Sequence, residues 1–289
     1  NGTFVNGQRV HRQPLHDEDV IWVSTFRIQV KLMPEETDFV EGSVTVTDMS
    51  PPVYLADELV ESSAARSIDP DTLIVGFARR FATYKRANLL LREREALTSL
   101  LADDDRPVQF VFAGKAHPAD VPGKAVLADV VAFAATPQAR GRFLFVPDYD
   151  IAVARAMYAG CDVWLNNPVR PREASGTSGE KSALNGGLNC SISDGWWDEM
   201  ADGRNGWTIP ASAHTDEATR DDEEAAATIE LLGNQIIPEY HQGGAPWSVA
   251  WLERIRHNWR TLGPLVPAAR MVRDYQRELY QPALDSARP

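Results

Sequence analysis

Apolar positions change their spacing along the chain. From Thr3 to Leu32 they come in short alternating runs, Thr3-Phe4-Val5, Val20-Ile21-Trp22-Val23 and Phe26-Arg27-Ile28-Gln29-Val30, broken by Asn6-Gly7 and Asp17-Glu18-Asp19. Alternation at period two between turn-forming residues predicts a short β meander over residues 1–33. Over residues 34–68 no period is sustained. The acidic and proline-bearing stretches Pro34-Glu35-Glu36 and Ser50-Pro51-Pro52 predict a linker there, with one short helix from Leu55 to Ala65.

After Pro70 compact apolar runs alternate with stretches at helical spacing. The pattern predicts strands at Leu73–Phe77, Val108–Ala113, Phe143–Val146, Val163–Leu165 and Leu188–Ser191. It predicts helices at Tyr84–Leu101, Lys124–Phe133 and Ile151–Ala159, then a helical tail at Asp216–Glu239, Ser248–Thr261 and Ala268–Tyr280. Apolar strands that alternate with helices belong to a parallel sheet covered on both faces. The fold class over residues 69–289 is therefore α/β, a doubly wound parallel sheet with C-terminal helices.

Composition narrows the function classes. The formal charge of -12 disfavours a nucleic-acid partner, whose phosphates need a basic footprint. No apolar run approaches the ~20 residues of a membrane span, and the first residues lack a basic segment followed by an apolar core, so a cytoplasmic protein is expected. Cys161 and Cys190 have no CxxC spacing and are expected as buried structural thiols in a reducing compartment. The histidines show no metal-ligand spacing.

The densest candidate chemistry is Glu173-Ala174-Ser175-Gly176-Thr177-Ser178-Gly179-Glu180-Lys181, between the strand at Val163 and a helix starting near Gly179. Small residues let backbone N–H groups converge, and a helix N-terminus adds its positive dipole end, so phosphate fits there. The nucleotide-binding P-loop pattern fails because Glu180, not glycine, precedes Lys181. The dinucleotide fingerprint fails because the loop comes late in the α/β unit. An ammonium at Lys181 faces the unfavourable end of the helix dipole, which a Schiff base with an aldehyde cofactor would relieve; a solvated lysine paired with Glu180 is the alternative.

A second cluster, Arg79, Arg80, Lys85 and Arg86, follows the first α/β strand, where loops line the ligand crevice of such sheets. Four cations within eight positions of an acidic chain suggest an anionic ligand; a solvated helix start is the alternative. Tyr149, after the strand at Phe143, is a candidate to pack against a ring in the same crevice. His117, after the strand at Val108, is either catalytic or a structural hydrogen-bonding histidine.

In order, Gly76-Phe77-Ala78-Arg79-Arg80-Phe81-Ala82-Thr83-Tyr84-Lys85-Arg86, Phe112-Ala113-Gly114-Lys115-Ala116-His117-Pro118, and Asn166-Asn167-Pro168 leading into Glu173 to Asn185 resemble the C-terminal catalytic domain of α-glucan phosphorylases. Asp194-Gly195-Trp196-Trp197, Asn205-Gly206-Trp207 and Arg270-Met271-Val272-Arg273 extend the likeness. The resemblance implies a Rossmann-like domain, the second of a two-domain glycosyltransferase architecture, and pyridoxal 5'-phosphate as cofactor. It implies that Lys181 forms the Schiff base, that Lys85, Arg79, Thr177 and the backbone at Gly176 hold the cofactor phosphate, and that Tyr149 lies beside the cofactor. Arg80 would grip orthophosphate, and Glu173, Ser175 and Gly176 would bind glucose hydroxyls. The implied catalytic set is Arg80, Lys85 and Lys181, and the reaction is phosphorolysis of α-1,4-glucan to α-glucose 1-phosphate with retention. The family's N-terminal catalytic domain has no room in this chain, so weak or no turnover is expected of it alone. Glu180 stands where that family usually has an apolar residue.

Residues 1–33 resemble the end of a forkhead-associated domain, through Asn1-Gly2-Thr3-Phe4-Val5-Asn6-Gly7 and Leu15-His16-Asp17-Glu18-Asp19-Val20-Ile21. This implies a phosphothreonine-binding module in a longer protein. A nucleotide-sugar glycosyltransferase shares the Arg-x4-Lys spacing of Arg80 and Lys85. Such enzymes commonly carry a glutamate eight positions beyond the residue matching Glu173, and here that position is Lys181.

Overall fold

The structure, a computed structural model, describes residues 72–243 and 248–286 in full and, ahead of them, the backbone of five strands. These are β1 (Thr3–Val5), β2 (Gln8–Val10), β3 (Val20–Val23), β4 (Phe26–Val30) and β5 (Val44–Met49). They pair antiparallel in the order β2-β1-β3-β4-β5. The alternation in the sequence predicts β1, β3 and β4; β2, three residues with one apolar position, carries no such run. β5 falls within the segment read as linker; its Val44-Thr45-Val46-Thr47 alternation is one short run amid acidic residues and prolines. The helix expected at Leu55–Ala65 lies outside the described residues.

The second sheet has six strands, β6 (Leu73–Ala78), β7 (Val108–Ala113), β8 (Phe143–Val146), β9 (Val163–Asn166), β10 (Leu188–Ile192) and β11 (Gly206–Ile209). Every pairing is parallel, in the order β11-β10-β9-β6-β7-β8. The chain winds outward from β6 to β8, returns to lay β9 against β6, and then winds the other way. β6 and β9 therefore flank the point where the winding reverses, and in open α/β sheets ligands bind outside the carboxyl ends of the strands there.

Alternate side chains of each strand serve the two faces. Leu73, Val75 and Phe77 of β6 join one core with Phe110 and Phe112 of β7, covered by α1 (Arg94–Ala102) through Leu97 and Leu101 and by α2 (Val121–Ala134) through Val130 and Phe133. Ile74 and Ala78 point the other way, into a core closed by Ala156 and Met157 of α3 (Ile151–Gly160). Asp150 caps α3 by accepting from the Ala152 and Val153 amides, and Asp120 caps α2 by accepting from Gly123. Then come α4 (Thr177–Leu184), α5 (Trp196–Met200), α6 (Glu217–Leu231), which runs through a π turn into α7 (Ile237–His241), and α8 (Val249–Leu262). The tail, α9 (Ala268–Tyr275) and α10 (Gln281–Ser286), buries none of its residues.

The expected helix Tyr84–Leu101 breaks into a 3-10 turn at Thr83–Lys85, a second at Leu89–Glu93, and α1. The break is Arg86, held at φ 50, a conformation that disfavours helix propagation. Its guanidinium turns away to partners on two other elements. The run Leu89-Leu90-Leu91 is buried along its whole length, so tertiary packing overrides helical periodicity. Cys161 and Cys190 are buried and free, and burial alone pushes the Cys190 thiol up to about 12.

Candidate functional site at the winding reversal

The loop after β6 and the loop after β9 meet above the reversal point. Val169 N–H donates to Tyr84 O at 2.7 Å, tying one to the other. From the first loop come Arg79 and Lys85, both buried; from the second comes Glu173, also buried. Lys85 Nζ donates to Glu173 Oε2, and Arg79 reaches the same carboxylate at 3.4 Å. Arg79 also donates to Asn166 Oδ1 at the end of β9. Burial holds the Arg79 guanidinium below its ordinary range, with Glu173 opposing that shift. Two buried cations thus share one carboxylate, and among the described residues Arg79 Nε has no hydrogen-bond partner.

The glycine loop closes the site from the other side. Gly176 is the N-cap of α4 at φ 95, which glycine adopts without steric penalty, and, having no side chain, it supplies no cap of its own. The N-terminus of α4 consequently keeps the partial positive charge that favours an anion. At Gly179 a Cβ would lie 2.4 Å from Asn189 Oδ1, so only glycine lets α4 sit this close to β10. The loop is strapped down behind: Glu173 N–H donates to Asp194 Oδ2 at 2.9 Å, and Trp196 N–H donates to Ser175 O at 2.9 Å.

Lys181 lies one turn into α4. Its ammonium donates to Thr177 Oγ1 at 3.4 Å and stands 5.8 Å from the centre of the Tyr158 ring. Among the described residues it forms no ion pair, so the pairing with Glu180 weighed as an alternative is not made. Glu180 instead hydrogen-bonds Ser175. Burial pushes its carboxyl above the ordinary carboxylate range, while the Ser175 bond, Lys181 and Arg270 draw it back.

The other sequence candidates differ in exposure and partners. Arg80 is exposed, and Tyr149 is half-buried, its hydroxyl pushed up by burial and paired with that of Tyr158. Thr177 and Ser175 are exposed. Arg86 is different: its side chain donates to Asn167 O at 2.9 Å, Pro168 O at 2.9 Å, Asp221 Oδ1 at 2.7 Å and Glu224 Oε2 at 2.5 Å. Its charge is consumed by α6, which removes it from the ligand-facing cluster. His117 is exposed, and its Nδ1 accepts from the Ala119 amide at 3.1 Å within a turn, the structural role weighed for it.

Three groups at the site carry no sequence signal of their own. Asn166 and Asp194 act as fixed partners for Arg79 and for the Glu173 backbone, and both lie in motifs quoted above without a role. Tyr158 lies on α3, where nothing in its spacing marks it.

The family described as carbohydrate phosphorylase matches residues 49–205, more than half of the chain. The chain is 55% identical over 228 residues to a glycogen phosphorylase of Mycobacterium tuberculosis (strain ATCC 25618 / H37Rv), covering 78% of this chain and 26% of that protein. It is 44% identical over 221 residues to a maltodextrin phosphorylase of Thermococcus litoralis, covering 76% and 26%. It is 37% identical over 270 residues to a glycogen phosphorylase of Aquifex aeolicus, covering 92% and 37%. The chain therefore spans about a quarter of the length of the first two relatives. With the reversal-point site and the family match in agreement, this chain belongs to the carbohydrate phosphorylase family.

Proposed function

We propose that this chain is the cofactor-bearing part of an α-glucan phosphorylase, which uses pyridoxal 5'-phosphate and orthophosphate to release α-glucose 1-phosphate from α-1,4-glucan. The observation that carries this reading is the under-neutralised pair Arg79 and Lys85 beside a helix start whose N-cap is glycine, with Lys181 in no ion pair among the described residues. The residues fit the cofactor: an orphaned guanidinium nitrogen and the open α4 terminus suit a phosphate, and Lys181 suits an aldehyde. When bound, the cofactor supplies a phosphate that exchanges a proton with orthophosphate. Arg79, Lys85, Thr177 and the Gly176 backbone would hold that phosphate, Lys181 its aldehyde carbon, and Tyr149 would flank its ring.

Arg80, exposed at the mouth, would bind orthophosphate, and its charge offsets the repulsion between two close phosphates. Glu173, Ser175 and Gly176 would orient the glucose. Glu173 then has two tasks, since the same carboxylate neutralises Arg79 and Lys85. The family likeness supports a cytoplasmic protein, and among the described residues no helix is long and apolar enough to cross a membrane. The antiparallel pairing of β1 to β4 is compatible with the forkhead-associated likeness of residues 1–33, and phosphothreonine binding by a longer protein is a separate proposal. The test is orthophosphate-dependent release of glucose 1-phosphate from maltodextrin by the native protein. Release that requires added pyridoxal phosphate after its removal is expected; release indifferent to the cofactor contradicts the reading.

A further inference from the structure

The ring of Tyr158 lies at the meeting point of three site elements. On one side Lys181 Nζ stands 5.8 Å from its centre; on another the Trp164 ring of β9 packs at 4.8 Å. Trp164 Nε1 donates in turn to Ser178 Oγ in the first turn of α4, at 3.2 Å. The Tyr158 hydroxyl pairs with that of Tyr149, the residue read as flanking the cofactor ring. Tyr158 is thus held by the tilted indole of Trp164 packed against its ring and by Tyr149 at its hydroxyl, with the lysine amine near the ring as well.

We propose that Tyr158 is a positioning residue for Lys181, holding the amine over its ring and beside Thr177 so that an aldehyde-bearing phosphate entering the crevice meets a restricted nucleophile. This rests on the pyridoxal phosphate reading above. A lysine carries four rotatable bonds, and an exposed amine samples many positions unless something confines it. The Thr177 hydroxyl is one such contact. The face of an aromatic ring is a second, attractive to an ammonium and without a lone pair that would trap the amine in a strong bond. A carboxylate in that place would fix the lysine charged, and among the described residues none pairs with it.

The experiment titrates pyridoxal phosphate into the chain, traps the product with borohydride, and quantifies the pyridoxyl-Lys181 peptide against Lys124 as an internal reference. Tyr158→Leu and Tyr158→Met remove the ring, and Tyr158→Phe keeps it. The two ring-less variants are expected to need roughly two- to fivefold more pyridoxal phosphate for half-maximal labelling of Lys181, the weight of an exposed cation–ring contact. Tyr158→Phe is expected within about twofold of the parent on the same scale. Melting followed by circular dichroism confirms that each variant compared is folded, and using two ring-less variants keeps the test open should one fail to fold. Parental labelling in both ring-less variants overturns the inference, as does a loss in Tyr158→Phe equal to theirs. An unlabelled Lys181 in the parent chain defeats the cofactor reading itself, and is thereby distinguished from a failure of the tyrosine's role.

Discussion

Arg86 and the pair Arg79 and Lys85 leave the same loop and are all buried, yet they end in different electrostatic situations. Arg86 meets Asp221 and Glu224, Arg220 also pairs with Asp221, and the carbonyls of Asn167 and Pro168 take further guanidinium hydrogens. Two cations face two carboxylates, and every Arg86 contact is between fixed parts of the fold. Arg79 and Lys85 share Glu173 alone, and one guanidinium nitrogen goes unanswered. Buried donors are rarely left so without a functional reason. The saturated cluster is a staple between α6 and the loop after β9, and the unsaturated one is the proposed seat for an anion.

The largest expected effect breaks the staple. Arg86→Met leaves Asp221 and Glu224 buried beside each other with only Arg220 to answer them, a loss of about 3–5 kcal/mol. Urea denaturation measures it, and a loss under about 1 kcal/mol would mean the cluster is no more than a surface pair. Lys85→Met attacks the seat. Arg79 keeps Glu173 partnered, so stability falls less than in the Arg86 variant. Affinity for pyridoxal phosphate drops roughly ten- to hundredfold, as expected for one lost charged hydrogen bond. Equilibrium dialysis beside urea denaturation separates the two numbers.

Glu173→Gln sharpens the contrast by leaving two buried cations without a carboxylate. At a fixed phosphate concentration ten times the variant's dissociation constant, the variant should then gain about 1.4 kcal/mol and the parent, binding more weakly, less. Equal stabilisation of both would show that the seat does not depend on that charge balance. The smallest effect concerns Glu180, whose folded carboxyl titrates above its ordinary value near 4.5. The folded state therefore favours the proton, and the corresponding stability is present at low pH and lost as pH rises through the folded value. Glu180→Gln should melt higher than the parent near neutral pH and at the same temperature near pH 4, a difference within about 0.5 kcal/mol. A gain at both pH values would assign it to packing instead.

Much of this arrangement is legible in the sequence because its causes are local. The five strands from Leu73 to Ser191 announce themselves as apolar runs, and α3 and α8 by helical periodicity with capping residues Asp150 and Ser248. β11 is missed because four residues after Asn205 give too little pattern, and it is stabilised by pairing with β10. The cations are visible as a cluster, but their division is not. Which of Arg79, Lys85 and Arg86 faces a ligand depends on Asp221 and Glu224, more than a hundred positions along the chain, and on a left-handed turn at Arg86. Tyr158 is invisible for the same reason, because its role is set by Trp164, Tyr149 and Lys181 converging from three elements.

The central claim is that Lys181 is the residue that takes pyridoxal phosphate. The chain is incubated with the cofactor, reduced with borohydride, digested, and mapped by mass spectrometry. A pyridoxyl adduct on Lys181 that disappears in Lys181→Ala is the predicted result. An adduct distributed among other lysines, or none at all, would contradict it.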